Sequence, residues 1–337
     1  MTAVKVIREA YAVAPATVGN FFAGFDVLGA AVESVDGSLM GDIVRVRERS
    51  VSSGASGLKV EGAYASLLPL NPRQNLVIYC RDAFHRLLSS KGVAIKPLQM
   101  ILHKNLPLAS GLGSSASSIV AALSALNAFY SNPLTDDELL SLAGKAEGSV
   151  SGSPHLDNVA PALLGGLQFI APDPENSLGK SVALPMFDNW KPVVVHPHLA
   201  VQTKKARAVL PRLIPLKKAV EYWQNLGAFI QALFTKNQES AIFALRDLLI
   251  EKHRKKLVKG FSKVQSAAID AGAMSCTFSG SGPSMVAVAT TSALAEKVRT
   301  AMISAFRDAG IASEGWICRL NLEGAVSNDY LMEESPT

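Results

Sequence analysis

Apolar residues recur along the chain with two periods, and the switches between them mark out its elements. Asp42–Glu48 (DIVRVRE) alternates apolar and charged positions, the period of a half-buried strand, and Leu58–Gly62 (LKVEG) is a candidate partner. SVSSGASG, ending at Gly57, reads as the turn between them. Leu76, Val77, Cys80, Phe84, Leu87 and Leu88 fall at helical spacing after Asn75, and the pattern stops near Gly92. Leu98–His103 (LQMILH) reads as a strand, after which Ile119, Ala122, Leu123, Leu126 and Phe129 resume the helical period. Asn132-Pro133 breaks the chain, and Thr135 with Glu138 forms a capping box that starts a helix running to about Glu147. In Gly148–Gly166 (GSVSGSPHLDNVAPALLGG), glycine and proline limit regular structure.

Short strands follow at Gly166–Ile170, Ser181–Leu184 and Pro192–His196, then helices at Thr203–Leu210, Leu216–Thr235 and Ser240–Leu249. The chain closes with a helix at Lys263–Ala271, a strand at Ser275–Ser279, the turn SGSGP and a strand at Ser284–Ala289. A helix at Leu294–Ala309 and a strand near Trp316–Leu320 complete it. This mixture, without an internal repeat, defines an α+β protein. At 337 residues and 48% hydrophobic content the chain is expected to divide into two domains, 1–172 and 173–337, parting near the surface turn Ala171–Lys180 (APDPENSLGK).

Composition removes several function classes. The longest apolar stretches, Ile119–Tyr130 and Val159–Ile170, are too short and too interrupted to span a bilayer, so no membrane partner is expected. The opening MTAVKVIREAYAVAPA lacks the sustained apolar core of a signal peptide, and a cytoplasmic location is expected. Three widely spaced cysteines, Cys80, Cys276 and Cys318, without a C-x-x-C pair, suit reduced core thiols. A net charge of +5 is mild. The densest basic stretch, Lys252–Lys259, has no aromatic interleaving, which argues against a nucleic-acid partner. His196-x-His198 has metal-like spacing but no third ligand nearby.

The candidate chemistry centres on PLASGLGSSASS, Pro107–Ser118, between the strand LQMILH and the helix after it. Glycines admit positive φ and close approach by a ligand, and a helix N-terminus favours an anion through its unpaired amides and dipole. Ser114, Ser115, Ser117 and Ser118 add hydroxyls for phosphate oxygens or magnesium. Gly111-x-Gly113-x-x-Ala116 formally satisfies the dinucleotide fingerprint, but the acidic pair at the right distance, Asp136 and Asp137, starts a helix instead of ending a strand. A Walker loop is absent from the sequence. Two further segments stand out. TVGNFFAGFD, Thr17–Asp26, follows the extended piece AYAVAPA and reads as a loop that sets Asn20 and Asp26 among three phenylalanines, and Glu147, His155, Asp157 and Asn158 fall within twelve positions.

Three segments in order resemble the small-molecule kinases of the GHMP superfamily, and within it the homoserine kinases. They are PATVGNFFAGFDVLG (Pro15–Gly29), PLASGLGSSAS (Pro107–Ser117) and TFSGSGPS (Thr277–Ser284), and HLDNVAPALLGG (His155–Gly166) adds to the match. The resemblance covers nearly the whole chain. It implies an N-terminal ribosomal-S5-like domain, a C-terminal ferredoxin-like α/β sandwich, and ATP-dependent phosphorylation of the side-chain hydroxyl of L-homoserine, a step of threonine biosynthesis. ATP would be held by Asn75 toward the nucleoside and by Pro107, Leu108, Ala109, Ser110, Gly111, Leu112, Gly113, Ser114, Ser115, Ala116 and Ser117 around the phosphates. Ser115 and Glu147 would hold Mg2+. The amino acid would be gripped by Asn20, Asp26, His155, Asn158, Thr203, Arg207 and Arg254, with Thr203 and Arg207 also acting in catalysis and Asp157 as the candidate base. The same resemblance implies a homodimer and a turn Ser279–Pro283 that closes over the phosphate loop.

Overall fold

The computed structural model describes residues 6–49, 57–69, 71–152 and 154–333. Of SVSSGASG only Gly57 falls within them, and the start of the opening segment lies outside them. The chain begins with β1 (Val6–Gly19), β2 (Leu28–Ser34), β3 (Gly41–Glu48) and β4 (Leu58–Glu61). There follow α1 (Leu76–Ser90), β5 (Leu98–His103), α2 (Ser114–Phe129), α3 (Asp136–Ser151) and α4 (Val159–Leu164). Three strands, β6 (Leu167–Ala171), β7 (Lys180–Leu184) and β8 (Lys191–Pro197), precede α5 (Thr203–Ala208), α6 (Leu216–Phe234), α7 (Gln238–Ala244) and α8 (Glu251–Arg254). The last part comprises α9 (Phe261–Asp270), β9 (Ser275–Phe278), β10 (Met285–Ala289), α10 (Ser292–Asp308), β11 (Ser313–Leu320) and β12 (Val326–Glu333).

The long strand β1 and the shorter β2 tie the layers together. β1 pairs with β12 and β3 over its first part and with β2 over Ala16–Gly19, so one strand serves two sheet regions. The first region runs β4-β5-β3-β1-β12, antiparallel except for the parallel β4/β5 pair. Alanines 10, 12 and 14 on β1 leave room for α2 to lie close against the sheet. α2 is consequently buried on nearly every face, and its small serines and alanines permit the packing of α1, α3 and α4 around it. The second region, β9-β10-β8-β11, separates two cores by strand alternation. Val193 and Val195 face Phe261, Val298 and Phe306 of α9 and α10, while Val194 joins Trp190, Phe229 and Leu233 with Phe21 and Leu28 from the N-terminal part. β2 pairs with β11 and joins the halves.

This is a two-domain α+β architecture of the expected class. β12 returns to β1, so the strand beyond residue 325 completes the first layer although it lies past the division expected near residues 172 and 173. Several boundaries differ from expectation. β1 continues through Thr17, Val18 and Gly19 before the loop begins, because those residues ladder with β2. Gly148–Gly166 is more regular than its glycines suggest: α3 reaches Ser151 and closes on Gly152 in the left-handed conformation, and α4 forms beyond it. The helix expected to Leu249 ends at Ala244, where Asn225 Nδ2 donates to the freed Ala244 carbonyl. The capping box at Thr135 and Glu138 forms as expected. His196 is a buried strand residue bonded to Ser284 Oγ at 2.9 Å, and all three cysteines are buried and free. Among the described residues no helix is long and apolar enough to cross a membrane, and no three His, Cys, Asp or Glu side chains cluster as metal ligands.

Candidate active site

The β5–α2 loop is shaped by contacts that leave no space for side chains at its glycines. Gly113, the N-cap of α2, has φ 64°, and a Cβ there would lie 1.9 Å from Thr17 Oγ1. Gly111 has φ 84°, and its Cβ would meet the Ser279 carbonyl oxygen at 2.3 Å. The loop is clamped from both domains. Thr17 N–H donates to the Leu112 carbonyl (3.0 Å), Val201 N–H to Ala109 (3.1 Å), Ser284 N–H to Ser110 (3.0 Å) and Ser279 Oγ to Gly111 (2.7 Å). The SGSGP turn therefore closes on the loop, and Gly280 N–H extends the clamp to the Gly19 carbonyl at 3.0 Å.

The four loop serines divide by role. Ser114 Oγ donates to the Leu106 carbonyl, Ser117 Oγ to the Ala14 carbonyl and Ser118 Oγ to Asp42, so three hydroxyls brace the loop. Ser115 Oγ instead donates to Glu147 Oε2 at 2.7 Å. Glu147 is half-buried, and its desolvation pushes its carboxyl above the usual range, while the Ser115 hydrogen bond opposes the shift. Beneath the loop, the buried Lys104 ammonium contacts the Asp42 carboxylate, the Ser114 carbonyl (2.8 Å) and Ser118 Oγ (3.0 Å). Asp42 also accepts from the backbone of Asn105 and Leu106, and the pair thus pins the end of β5 to the first turn of α2.

A cavity of about 500 Å³ opens over the loop. Leu68, Pro69, Leu76 and Leu102 provide apolar wall, with Asn75 among them. Asn75 caps α1 through Oδ1, which accepts from Val77 N–H at 3.0 Å, while its buried Nδ2 has no partner among the described residues. Charged groups gather in the same cavity. Asp26, from the loop after β1, takes both Nη atoms of Arg207 (2.6 and 3.1 Å), a bidentate pair, and His155 Nδ1 lies 3.8 Å from Asp26 Oδ2. Asn20 Oδ1 accepts from Asp26 N–H at 2.9 Å and so holds the loop's own turn. Arg254, only 3% exposed, donates to the carbonyls of Ala206 (3.3 Å) and Gly280 (3.0 Å). Asp157 Oδ2 accepts from Asn20 N–H at 3.0 Å; burial, with the Asp26 carboxylate adding, raises its carboxyl to about 7. Asn158 Oδ1 accepts from Thr17 Oγ1 at 2.8 Å.

Most residues singled out from sequence meet in this one cavity: Asn20, Asp26, Asn75, Leu108 to Gly111, Gly113 to Ser115, Glu147, His155, Asp157, Asn158, Thr203, Arg207 and Arg254. Pro107, Leu112, Ala116 and Ser117 do not line it. They are buried behind the loop, where Leu112 and Ala116 pack into the two cores. Lys104, Gln202, Lys204, Gly280 and Ser281 line the cavity without having been singled out for it. A lysine directly after a half-buried strand carries no sequence sign of burial, whereas Gly280 and Ser281 lie in a motif that pointed to this closure.

A phosphate-sized loop at a helix N-terminus, clamped by a second domain beside a charged acceptor pocket, is the arrangement of a small-molecule kinase. The family model for the GHMP kinases N terminal domain matches residues 75–166, and that for the GHMP kinases C terminal region matches residues 226–308. The chain belongs to the GHMP kinase family, whose members use ATP. Among solved structures, homoserine kinase from Cytophaga hutchinsonii is 35% identical, with 95% of this chain and 97% of that chain covered and a TM-score of 0.83. The L. major mevalonate kinase in complex with R-mevalonate is 19% identical over 91% of this chain and 94% of its own (TM-score 0.65). The Methanococcus jannaschii mevalonate kinase is 16% identical over 95% and 99% (TM-score 0.63). These last two share the fold.

Proposed function

We propose that the protein transfers the γ-phosphoryl group of ATP to the side-chain hydroxyl of L-homoserine, giving O-phospho-L-homoserine, as in threonine biosynthesis. The observation that carries this reading is the gathering of Asp26, Arg207 and Arg254 in the cavity that also contains the phosphate loop. A carboxylate suits an ammonium group and guanidinium pairs suit a carboxylate, so opposite charges together fit a zwitterionic amino acid. The similarity to a homoserine kinase at 35% identity supports the same acceptor.

The residue roles follow from their chemistry. Amides of the Leu108–Ser115 loop hold the phosphates, and the unpartnered Nδ2 of Asn75 donates to the nucleoside. Ser115 and Glu147 offer the hard oxygen donors that Mg2+ prefers, and the partial desolvation of Glu147 favours a cation beside it. When bound, the ion neutralises charge on the phosphates. Asn20, His155, Asn158 and Thr203 complete the acceptor's polar shell, and Arg207 balances Asp26 while facing the reacting end. As the hydroxyl oxygen bonds to phosphorus and the bond to the β-phosphate oxygen breaks, Asp157 takes the hydroxyl proton, for which a carboxyl near pH 7 is suited. Alignment and charge neutralisation supply most of the rate.

The test is ADP release measured in a coupled assay with homoserine, threonine, mevalonate and galactose as acceptors. Stimulation by homoserine above the other three supports the reading; stimulation by mevalonate or galactose alone replaces it with another GHMP kinase activity, and nicotinamide turnover without ATP affinity would make the chain an oxidoreductase. A homodimer and a cytoplasmic location belong to the same proposal. Light scattering tests the first, and three buried free thiols agree with a reducing compartment.

A further inference from the structure

The loop between β1 and β2 carries three phenylalanines with two different fates. Phe21 and Phe22 are buried in the core, at 0% and 2% exposure, whereas Phe25 is half-buried and turned toward the two arginines of the acceptor pocket. Its ring centroid lies 5.6 Å from Arg207 Cζ and 5.2 Å from Arg254 Cζ. The two guanidiniums come from different helices, α5 and α8, and converge on one ring. Phe25 is itself fixed from a third helix, because its backbone N–H donates to the Tyr222 hydroxyl of α6 at 2.6 Å.

Two like charges held beside one another, one buried and one half-buried, need compensation. Asp26 pairs directly with Arg207, whereas the hydrogen-bond partners of Arg254 are two backbone carbonyls and the carboxylates of Asp26, Asp247 and Asp157 act on it from a distance. A second carboxylate would neutralise Arg254 by occupying N–H donors along its edge, the same donors that an incoming carboxylate requires. An aromatic face attracts a cation through its quadrupole and takes up none of the N–H donors that Arg254 has beyond its two carbonyl bonds. We infer that Phe25 is a positioning residue that holds the Arg254 guanidinium, with Arg207 stacked beside it and paired to Asp26, toward the acceptor's carboxylate, and that Tyr222 fixes Phe25 for that task. The inference rests on the proposed acceptor role of the two arginines.

The experiment compares Phe25→Leu, Phe25→Trp and Tyr222→Phe in the full chain, reading KM for homoserine, KM for ATP and kcat. Phe25→Leu raises KM for homoserine about tenfold, the size of a lost cation–π pair of contacts, with ATP KM unchanged and kcat altered less than threefold. Phe25→Trp, which keeps an aromatic face, stays within threefold of wild type, and Tyr222→Phe gives an intermediate rise. Equal damage from Leu and Trp, or a fall in kcat alone, overturns the inference in favour of plain space-filling. A second readout does not depend on the acceptor's identity. In nitrogen-15 spectra the Hε resonances of Arg207 and Arg254, assigned with Lys variants, are displaced by the ring in wild type and return to ordinary positions in Phe25→Leu. Absent homoserine turnover by wild type refutes the proposed function, while undisplaced Hε resonances refute the role of Phe25.

Discussion

Gly111→Ala tests whether the loop's geometry is set by the second domain closing on it. At φ 84° an alanine strains the backbone by about 1–2 kcal/mol. The added Cβ would stand 2.3 Å from the Ser279 carbonyl oxygen and 2.9 Å from that of Gly282, and backbone atoms cannot swing aside as a long side chain does. The SGSGP turn must therefore lift, which breaks the Ser279 Oγ to Gly111 and Ser284 N–H to Ser110 hydrogen bonds at about 1 kcal/mol each. Together the cost is about 3–4 kcal/mol, and because it falls on the phosphate loop, KM for ATP should rise by two to three orders of magnitude, roughly. Gly37→Ala is the control. It has nearly the same φ, 81°, but no atom of the described residues within 4 Å of its Cβ, so it bears the strain without the collision. Its Tm should fall by only a few degrees, about 2–4 °C per kcal/mol, with kinetics unchanged. The assays are steady-state kinetics at varied ATP and a thermal melt of each variant. ATP binding by Gly111→Ala within threefold of wild type would refute the closure argument.

Other perturbations probe the groups around the loop. Lys104→Met strands the buried Asp42 carboxylate and should destabilise by about 3–5 kcal/mol, read as a large loss of Tm; adding Asp42→Leu should recover part of that loss. Asp157→Asn removes the proposed proton acceptor, so wild-type kcat should fall as pH drops through about 7 while the variant's lower rate loses that dependence; unchanged turnover would exclude Asp157 as an essential base. The same raised pKa means that the native state binds the extra proton between about pH 4 and 7, so folding stability falls as pH rises through that window. Asp157→Asn should consequently gain Tm relative to wild type at pH 8 more than at pH 4. Glu147→Gln should raise the Mg2+ concentration needed for half-maximal rate by tenfold or more, with homoserine KM little changed.

The helices were legible where one face is apolar, as in α1, α6 and α10, and where a local signal sets the end, as with the Thr135 capping box. Elements whose identity depends on distant partners were not. β12 (VSNDYLME) contains serine, asparagine and aspartate, poor strand formers, and becomes a strand by pairing with β1 across more than three hundred positions of sequence. The end of β1 reads as a loop because alanine, threonine and glycine lack alternation, yet β2 captures it. α4 had a sign that composition obscured, since Pro161 sits in its first turn, where proline is tolerated. In the site, the motif residues converged because each motif keeps its chemistry local. Lys104 was hidden, since a lysine is ordinarily solvated and only the fold reveals that Asp42, Ser114 and Ser118 surround it. Which loop serine faces Glu147 was likewise fixed by the helix start at Ser114, a matter of one residue in register.

The central claim is transfer to the homoserine hydroxyl, and phosphorus NMR of a completed reaction reads it directly. With ATP, Mg2+ and L-homoserine, the account predicts loss of the γ-phosphate signal and growth of a phosphomonoester resonance split into a triplet by the adjacent methylene protons, in step with ADP. ADP accompanied only by inorganic phosphate, or an ester that forms with mevalonate or a sugar and not with homoserine, would contradict it.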